Sequence, residues 1–215
     1  MEIAAPISLG PGRLSVDVAS AATAVLWLGH GAGGGIDSRD LAALATALPR
    51  HGITVVRHEQ PWRVAGKRVA PRPAALDTAW LETFPLVTEL AGGLPLFTGG
   101  RSAGARVACR TAEAVGAAAV ICLSFPLHPP GKPSTSRLDE LLLPTVPVLV
   151  VQGDRDTFGG AEVVASETAG REGIRVVAVA GADHSMAVLK SSALGADGVS
   201  ALVVESVLEF IRSVL

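Results

Sequence analysis

Short, almost wholly apolar runs recur along this chain, separated by stretches with helical spacing. Ala24–Leu28, Ile53–Val56, Leu94–Thr98, Ala118–Leu123, Val146–Val151 and Ile174–Val179 are such runs. Their lack of alternation suits strands buried on both faces. Between the first two, Asp37 or Ser38 is placed to cap a helix over Arg39–Leu48, with Leu41, Leu44 and Leu48 on one face; Pro49 and Gly52 close it. Pro73–Leu90 reads as helical in part, with a kink or break expected at Pro85. Ala103–Val115 and a segment near Ala161–Ala169 read as helices, and Val199–Val214 puts Val199, Val203, Val207, Phe210 and Val214 on one stripe. Arg13–Val18 adds an antiparallel edge strand. This alternation predicts the α/β class, with a mostly parallel central sheet of about six to seven strands and helices on both faces. The one polar, proline-rich stretch, Pro126–Arg137, reads as a loop rather than a linker, so residues 1–215 are expected to form a single domain.

In such sheets the ligand lies beyond the carboxyl ends of the strands, so the residues just after each strand matter most. Four strand ends carry distinctive chemistry: Gly29-His30-Gly31-Ala32-Gly33-Gly34-Gly35, Gly100-Arg101-Ser102-Ala103-Gly104, Gln152-Gly153-Asp154-Arg155-Asp156, and Gly181-Ala182-Asp183-His184. In a chain with 24 glycines the pattern Gly-x-Ser-x-Gly carries little by itself, since an ordinary helix-capping serine in a glycine-rich turn would look the same. Its placement between a predicted strand and a predicted helix is what suits a nucleophile elbow.

A serine hydroxyl is a poor nucleophile without a base, and the base needs an acid to orient it. His184 is the expected base, the bland alternative being a surface-loop histidine. Asp156 and Asp154 compete for the acid. Asp156 is favoured because Gly153, three residues earlier, lets the chain turn back toward the histidine, whereas Asp154 is better placed to cap the loop. Asp183, adjacent to the base, is expected to point elsewhere. The backbone N–H groups of Ala32 and Ala103 are the expected oxyanion donors, because small residues let amides approach a substrate oxygen. His30, Gly31, Arg101 and His128 are candidates for lining the substrate site. Arg57, Arg63, Lys67, Arg68 and Arg72 form a basic stretch better read as solvated than as an anion site, and Trp62 and Trp80 read as core or loop anchors.

Composition narrows the function classes. A net charge of −2 gives no general attraction to nucleic acid or anionic membrane. Apolar residues make up 49% of the chain, yet the longest apolar run, Ala114 to Leu123, is about half of a membrane span. The amino-terminal residues, with Glu2 and Pro6 and no basic start, do not read as a signal peptide. Cys109 and Cys122 make no spaced metal or redox motif, and two free thiols suit a cytoplasmic setting. No metal-ligand pattern is visible, and no cofactor is expected.

Gly29-x-Gly31-x-x-Gly34 also matches a dinucleotide fingerprint, with Glu59 after the next strand. That reading needs the helix to begin within the glycines, where its N-terminus would meet a pyrophosphate. Here the predicted cap comes later, and a Rossmann domain gives no reason for Ser102, Asp156 and His184 at three other strand ends.

The chain resembles the compact α/β-hydrolases of the dienelactone-hydrolase type, and most closely the small testis-expressed and NSL-complex-subunit-like hydrolases. The matching stretches are His30–Gly33, Gly99–Gly104, Phe125–Pro133, Gln152–Gly159 and Gly181–Ser185, with the proline-rich Phe125–Pro133 loop the most specific. The resemblance implies Ser102, Asp156 and His184 as a catalytic triad. It also implies that some relatives have lost the nucleophile and act as interaction modules; this chain keeps all three groups. The expectation is therefore an α/β-hydrolase fold without a large lid, since Ser124–Thr145 is too short for a sizeable helical cap. The expected activity is a serine hydrolase acting on a small ester, thioester or lactone, with no nucleic-acid or membrane partner. The alternatives are a non-catalytic protein-interaction module on a hydrolase scaffold and a nucleotide-binding Rossmann-like protein.

Overall fold

The computed structural model describes residues 1–215, and its centre is one eight-stranded sheet. In chain order the elements are β1 (Glu2–Ala5), β2 (Gly12–Asp17), β3 (Ala24–Gly29), α1 (Arg39–Ala47), β4 (Ile53–Glu59), α2 (Pro61–Val64), α3 (Pro73–Ala91), β5 (Leu96–Arg101), α4 (Ala103–Thr111), β6 (Ala119–Leu123), α5 (Leu138–Leu141), β7 (Val148–Gly153), α6 (Ala161–Glu167), β8 (Ile174–Val179) and α7 (Gly195–Val214). The strand order is β1-β2-β4-β3-β5-β6-β7-β8. The first two strands are antiparallel to their neighbours, and every pairing from β4 to β8 is parallel.

The period-2 geometry of the strands sorts their side chains into two cores. From β3, Val25 and Trp27 join Trp80 of α3, Val107 of α4 and Val164 of α6 on one face. Ala24, Leu26 and Leu28 join Leu41 and Leu44 of α1 and Val203, Val207 and Ile211 of α7 on the other. Both faces of the sheet are thus covered, which is why β3, β5, β6 and β7 are buried along their whole length. No helix is long and apolar enough to cross a membrane.

Four expectations need correction. The sheet has eight strands rather than six to seven, and β2 is not its edge, because β1 pairs outside it. Four residues running into Pro6 are too short to show a strand period. The helix over Pro73–Ala91 runs through Pro85 without a break. Pro85 and Leu81, four residues before it, both lie on the exposed side of the helix, where losing one internal hydrogen bond costs least. Neither Asp37 nor Ser38 caps α1 through its side chain; Asp37 lies 3.6 Å from Arg57 instead. The chain between β6 and β7 holds only the four-residue α5, so no lid is built there.

One core group makes stability depend on pH. His58 of β4 is fully buried near the stacked pair Trp27 and Trp80, whose ring centroids are 3.6 Å apart. Burial, and secondarily nearby His30, pushes its imidazole down to about 3 from 6.5. Between those values the unfolded chain takes up a proton that the folded chain refuses, so stability is present above pH 6.5 and is lost as pH falls. The loss through His58 should reach about 2 kcal/mol between pH 6.5 and 4.5. Urea titrations across that range should show this slope in the wild type and a clearly flatter one in His58→Asn; equal slopes would mean that His58 titrates normally.

Candidate active site

The turn after β5 is shaped by contacts that only glycine permits. A Cβ on Gly99 would strike the backbone of Ile121 in β6, and one on Gly100 would lie 2.5 Å from the Gly29 carbonyl oxygen. A Cβ on Gly104 would strike that same Gly29 carbonyl. Gly29, Gly100 and Gly104 therefore let α4 sit at backbone contact with β3 and β5. The connecting residue, Ser102, takes φ 52° and ψ −110°, a left-handed conformation rare for a residue with a Cβ. Such a conformation stores about 1–3 kcal/mol and persists only where its surroundings hold it. Here the Ser102 amide donates to Leu123 of β6 at 2.9 Å, and its carbonyl accepts the amide of Arg106.

The ends of β7 and β8 converge on this serine. His184 Nε2 lies 2.9 Å from Ser102 Oγ, and His184 Nδ1 lies 2.8 Å from Asp156 Oδ2. A carboxylate only accepts, so Nδ1 carries the proton and the Nε2 lone pair faces the hydroxyl. Asp156 is 5% exposed. Its Oδ2 also accepts from Gln152 Nε2 at 2.9 Å, and its Oδ1 accepts the Phe158 amide at 2.8 Å. Asp154 stands outside this chain: it is exposed, and its Oδ1 accepts the amide of Gly181. Asp183 also turns away, accepting the amides of Ser185 and Ala187.

Two residues at the site carried no role in the sequence reading. Gln152 is wholly buried and donates to Gly159 and Phe125 carbonyls as well as to Asp156. A polar amide closing the apolar run Val148–Val151 was its signal. Phe158 stacks on the His184 ring with centroids 4.1 Å apart. Its carbonyl accepts the amide of His128, which docks the proline-rich loop onto the Asp156 loop. Nothing in the spacing of residues marked it.

The expected substrate-lining residues fall into two groups. Gly31 is beside the serine: a Cβ there would sit 3.4 Å from Ser102 Cβ. His30 and Arg101 are both buried and hold contacts within the protein. His30 is buried, with Nε2 accepting the Gln60 amide and Nδ1 facing the Gly31 carbonyl; burial holds its pKa below the usual histidine value. Arg101 contacts Asp40 and the His184 carbonyl. His128 is half-buried, with Nδ1 turned to the carbonyl of Pro129. Ala32 and Ala103 line one narrow cleft with Gly29, Trp62 and Trp80, and neither amide donates a hydrogen bond within the protein.

Of the basic stretch, Arg57 is tied to Asp17 and the Ile36 carbonyl, while Lys67, Arg68 and Arg72 are exposed. The helix that follows the glycine loop starts at Arg39, beyond Gly35, so it does not begin within the glycines as the dinucleotide fingerprint requires. No group of three or more His, Cys, Asp or Glu side chains is placed to hold a metal ion.

With this geometry in view, residues 22–212 match the family model described as alpha/beta hydrolase domain. Among solved structures, an alpha-beta serine hydrolase homologue from Coxiella burnetii superposes with a TM-score of 0.77 at 17% identity, covering 95% of this chain and 96% of that one. A lidless α/β serine hydrolase from Xanthomonas campestris gives 0.75 at 19% identity, covering 98% and 94%. Est1E from Butyrivibrio proteoclasticus, with ferulic acid bound, gives 0.78 at 17% identity, covering 98% and 99%. At these identities the likeness is one of fold.

Proposed function

The chain belongs to the alpha/beta hydrolase domain family, and from that premise we propose that it is a serine hydrolase cleaving a small ester, thioester or lactone through an acyl-serine intermediate. Residues 1–215 then act as one such domain. The observation that carries this reading is the unbroken relay from Ser102 Oγ through His184 to Asp156, at 2.9 and 2.8 Å. The strained serine conformation supports it, because strain of this kind collects at reacting groups.

In the proposed reaction Ser102 Oγ attacks the substrate carbonyl while His184 Nε2 takes its proton. Asp156 holds the imidazole in the required tautomer and stabilises the imidazolium. The free amides of Ala32 and Ala103 receive the developing oxyanion; losing one such donor costs about 10²–10³ in rate. His184 then protonates the leaving group, and a water activated by the same imidazole releases the acyl group. The proline-rich Phe125–Pro133 loop supports placing the chain nearest the small testis-expressed and NSL-complex-subunit-like hydrolases.

The absence of a lid between β6 and β7 favours small substrates with short acyl groups. Rates on p-nitrophenyl acetate and butyrate should exceed those on the palmitate ester by about tenfold or more, since a chain that finds no pocket contributes no binding energy to the transition state. A preference for palmitate would contradict the small-substrate reading.

A further inference from the structure

We propose that Arg101 is a positioning residue, whose guanidinium, anchored on Asp40, holds the His184 loop at the distance from Ser102 that proton transfer needs. This rests on the reading of Ser102 and His184 as the reacting pair. Arg101 is the last residue of β5 and immediately precedes the serine. Its side chain is 9% exposed, and that of Asp40 on α1 is 2% exposed. Arg101 Nε lies 3.1 Å from Asp40 Oδ2, a buried ion pair without the alignment of a hydrogen bond, and Arg101 Nη2 donates to the His184 backbone carbonyl at 2.6 Å. No backbone amide donates to that carbonyl. One planar group thus joins three pieces of chain: the nucleophile turn, the helix that follows the glycine loop, and the loop that carries the base.

The elbow's sterics ask for nothing charged at this position. A buried ion pair adds little net stability over apolar side chains of similar volume, so stability alone does not account for it. A guanidinium does what an apolar group cannot: it donates to the His184 carbonyl while its charge stays paired with the Asp40 carboxylate. Asp183 shapes the same loop from within, through the Ser185 and Ala187 amides. Those bonds do not reach across to Ser102. Arg101 makes the cross-connection, and it also packs close to Gly31, where a Cβ would come within 3.3 Å of Nη1.

Arg101→Met keeps the aliphatic stem and removes both contacts. With p-nitrophenyl acetate as the probe, kcat should fall by about 30- to 100-fold while KM stays within about threefold, because displacing a reacting group by roughly 1 Å costs rate and not ground-state binding. Labelling of Ser102 by a fluorophosphonate should slow in parallel. In Arg101→Ala, guanidinium chloride well below denaturing concentration should restore part of kcat, and sodium chloride at equal ionic strength should not. Should Arg101→Met fail to fold, Asp40→Asn decides: it should lower kcat with the same constancy of KM. A folded Arg101→Met with wild-type kcat, or with its whole loss in KM, would overturn the bridge and leave the hydrolase reading standing. A wild-type protein that neither turns over the ester nor labels at Ser102 would overturn both.

Discussion

Replacing His184 with alanine should lower kcat on a short p-nitrophenyl ester by about 10⁴-fold, close to 5 kcal/mol of transition-state stabilisation. The serine hydroxyl would then have no acceptor for its proton, since Nε2 of His184 is the only group within hydrogen-bond reach of Ser102 Oγ. KM should change little, because the imidazole touches the reacting atoms and not the rest of the substrate. The residual rate should still exceed that in water, carried by the amides of Ala32 and Ala103. Stability should hardly move: the His184 side chain is 19% exposed and its chief partner is a carboxylate that keeps its bonds to Gln152 and Phe158. Steady-state kinetics with a parallel thermal melt check both halves. A loss smaller than tenfold would place the base elsewhere.

Gly104→Ala should destabilise the fold by about 3 kcal/mol or more, and so lower Tm by roughly 6–12 °C. Helix propensity predicts the opposite sign, since alanine is favoured over glycine inside a helix by about 1 kcal/mol. The contact decides. The added methyl would strike the Gly29 carbonyl oxygen and sit 2.5 Å from its carbon. Both are backbone atoms of a strand bonded on each side to β4 and β5, so they have no rotamer to turn away with. Relief requires α4 to lift from the sheet and carry Ser102 with it, so activity should fall along with stability. Gly33→Ala is the control, because nothing lies within 4 Å of a Cβ there, and it should cost well under 1 kcal/mol. Urea unfolding of both variants measures the contrast. A Gly104→Ala variant as stable as the wild type would mean that α4 does not lie against β3 as described.

The parallel part of the sheet was legible because burial on both faces leaves a plain signature. Val148–Val151 is such a run, buried throughout; Ile174–Val179 is the sheet's edge strand and is mostly half-buried, but its β-branched residues mark it all the same, despite Arg175, which pairs with Glu209 at the surface. Strand ends were less legible. β4 continues to Glu59 and β5 to Arg101, past the last apolar residue, because backbone pairing with neighbours extends them through polar positions. β1 was hidden for the complementary reason: it is short, mostly exposed and held by pairing with β2 alone.

At the site, the chain order of Ser102, Asp156 and His184 could be read because each follows a strand. The direction of Arg101 could not. From sequence it stands beside the nucleophile and looks like a substrate contact; in the structure its guanidinium lies against Asp40 and donates to the His184 carbonyl, both distant along the chain. The contact of His30 was hidden in the same way, since its partner Gln60 follows a different strand. Phe158 was missed because stacking on a histidine leaves no spacing rule.

The central claim is that Ser102 becomes covalently acylated. A fluorophosphonate probe tests it directly, because phosphonylation of a serine requires the same activated hydroxyl. Intact-protein mass spectrometry should show one adduct on the wild-type protein, and peptide mapping should place it on Ser102. Ser102→Ala should show none while keeping its fold. No adduct on folded wild-type protein, or an equal adduct on Ser102→Ala, would contradict the account.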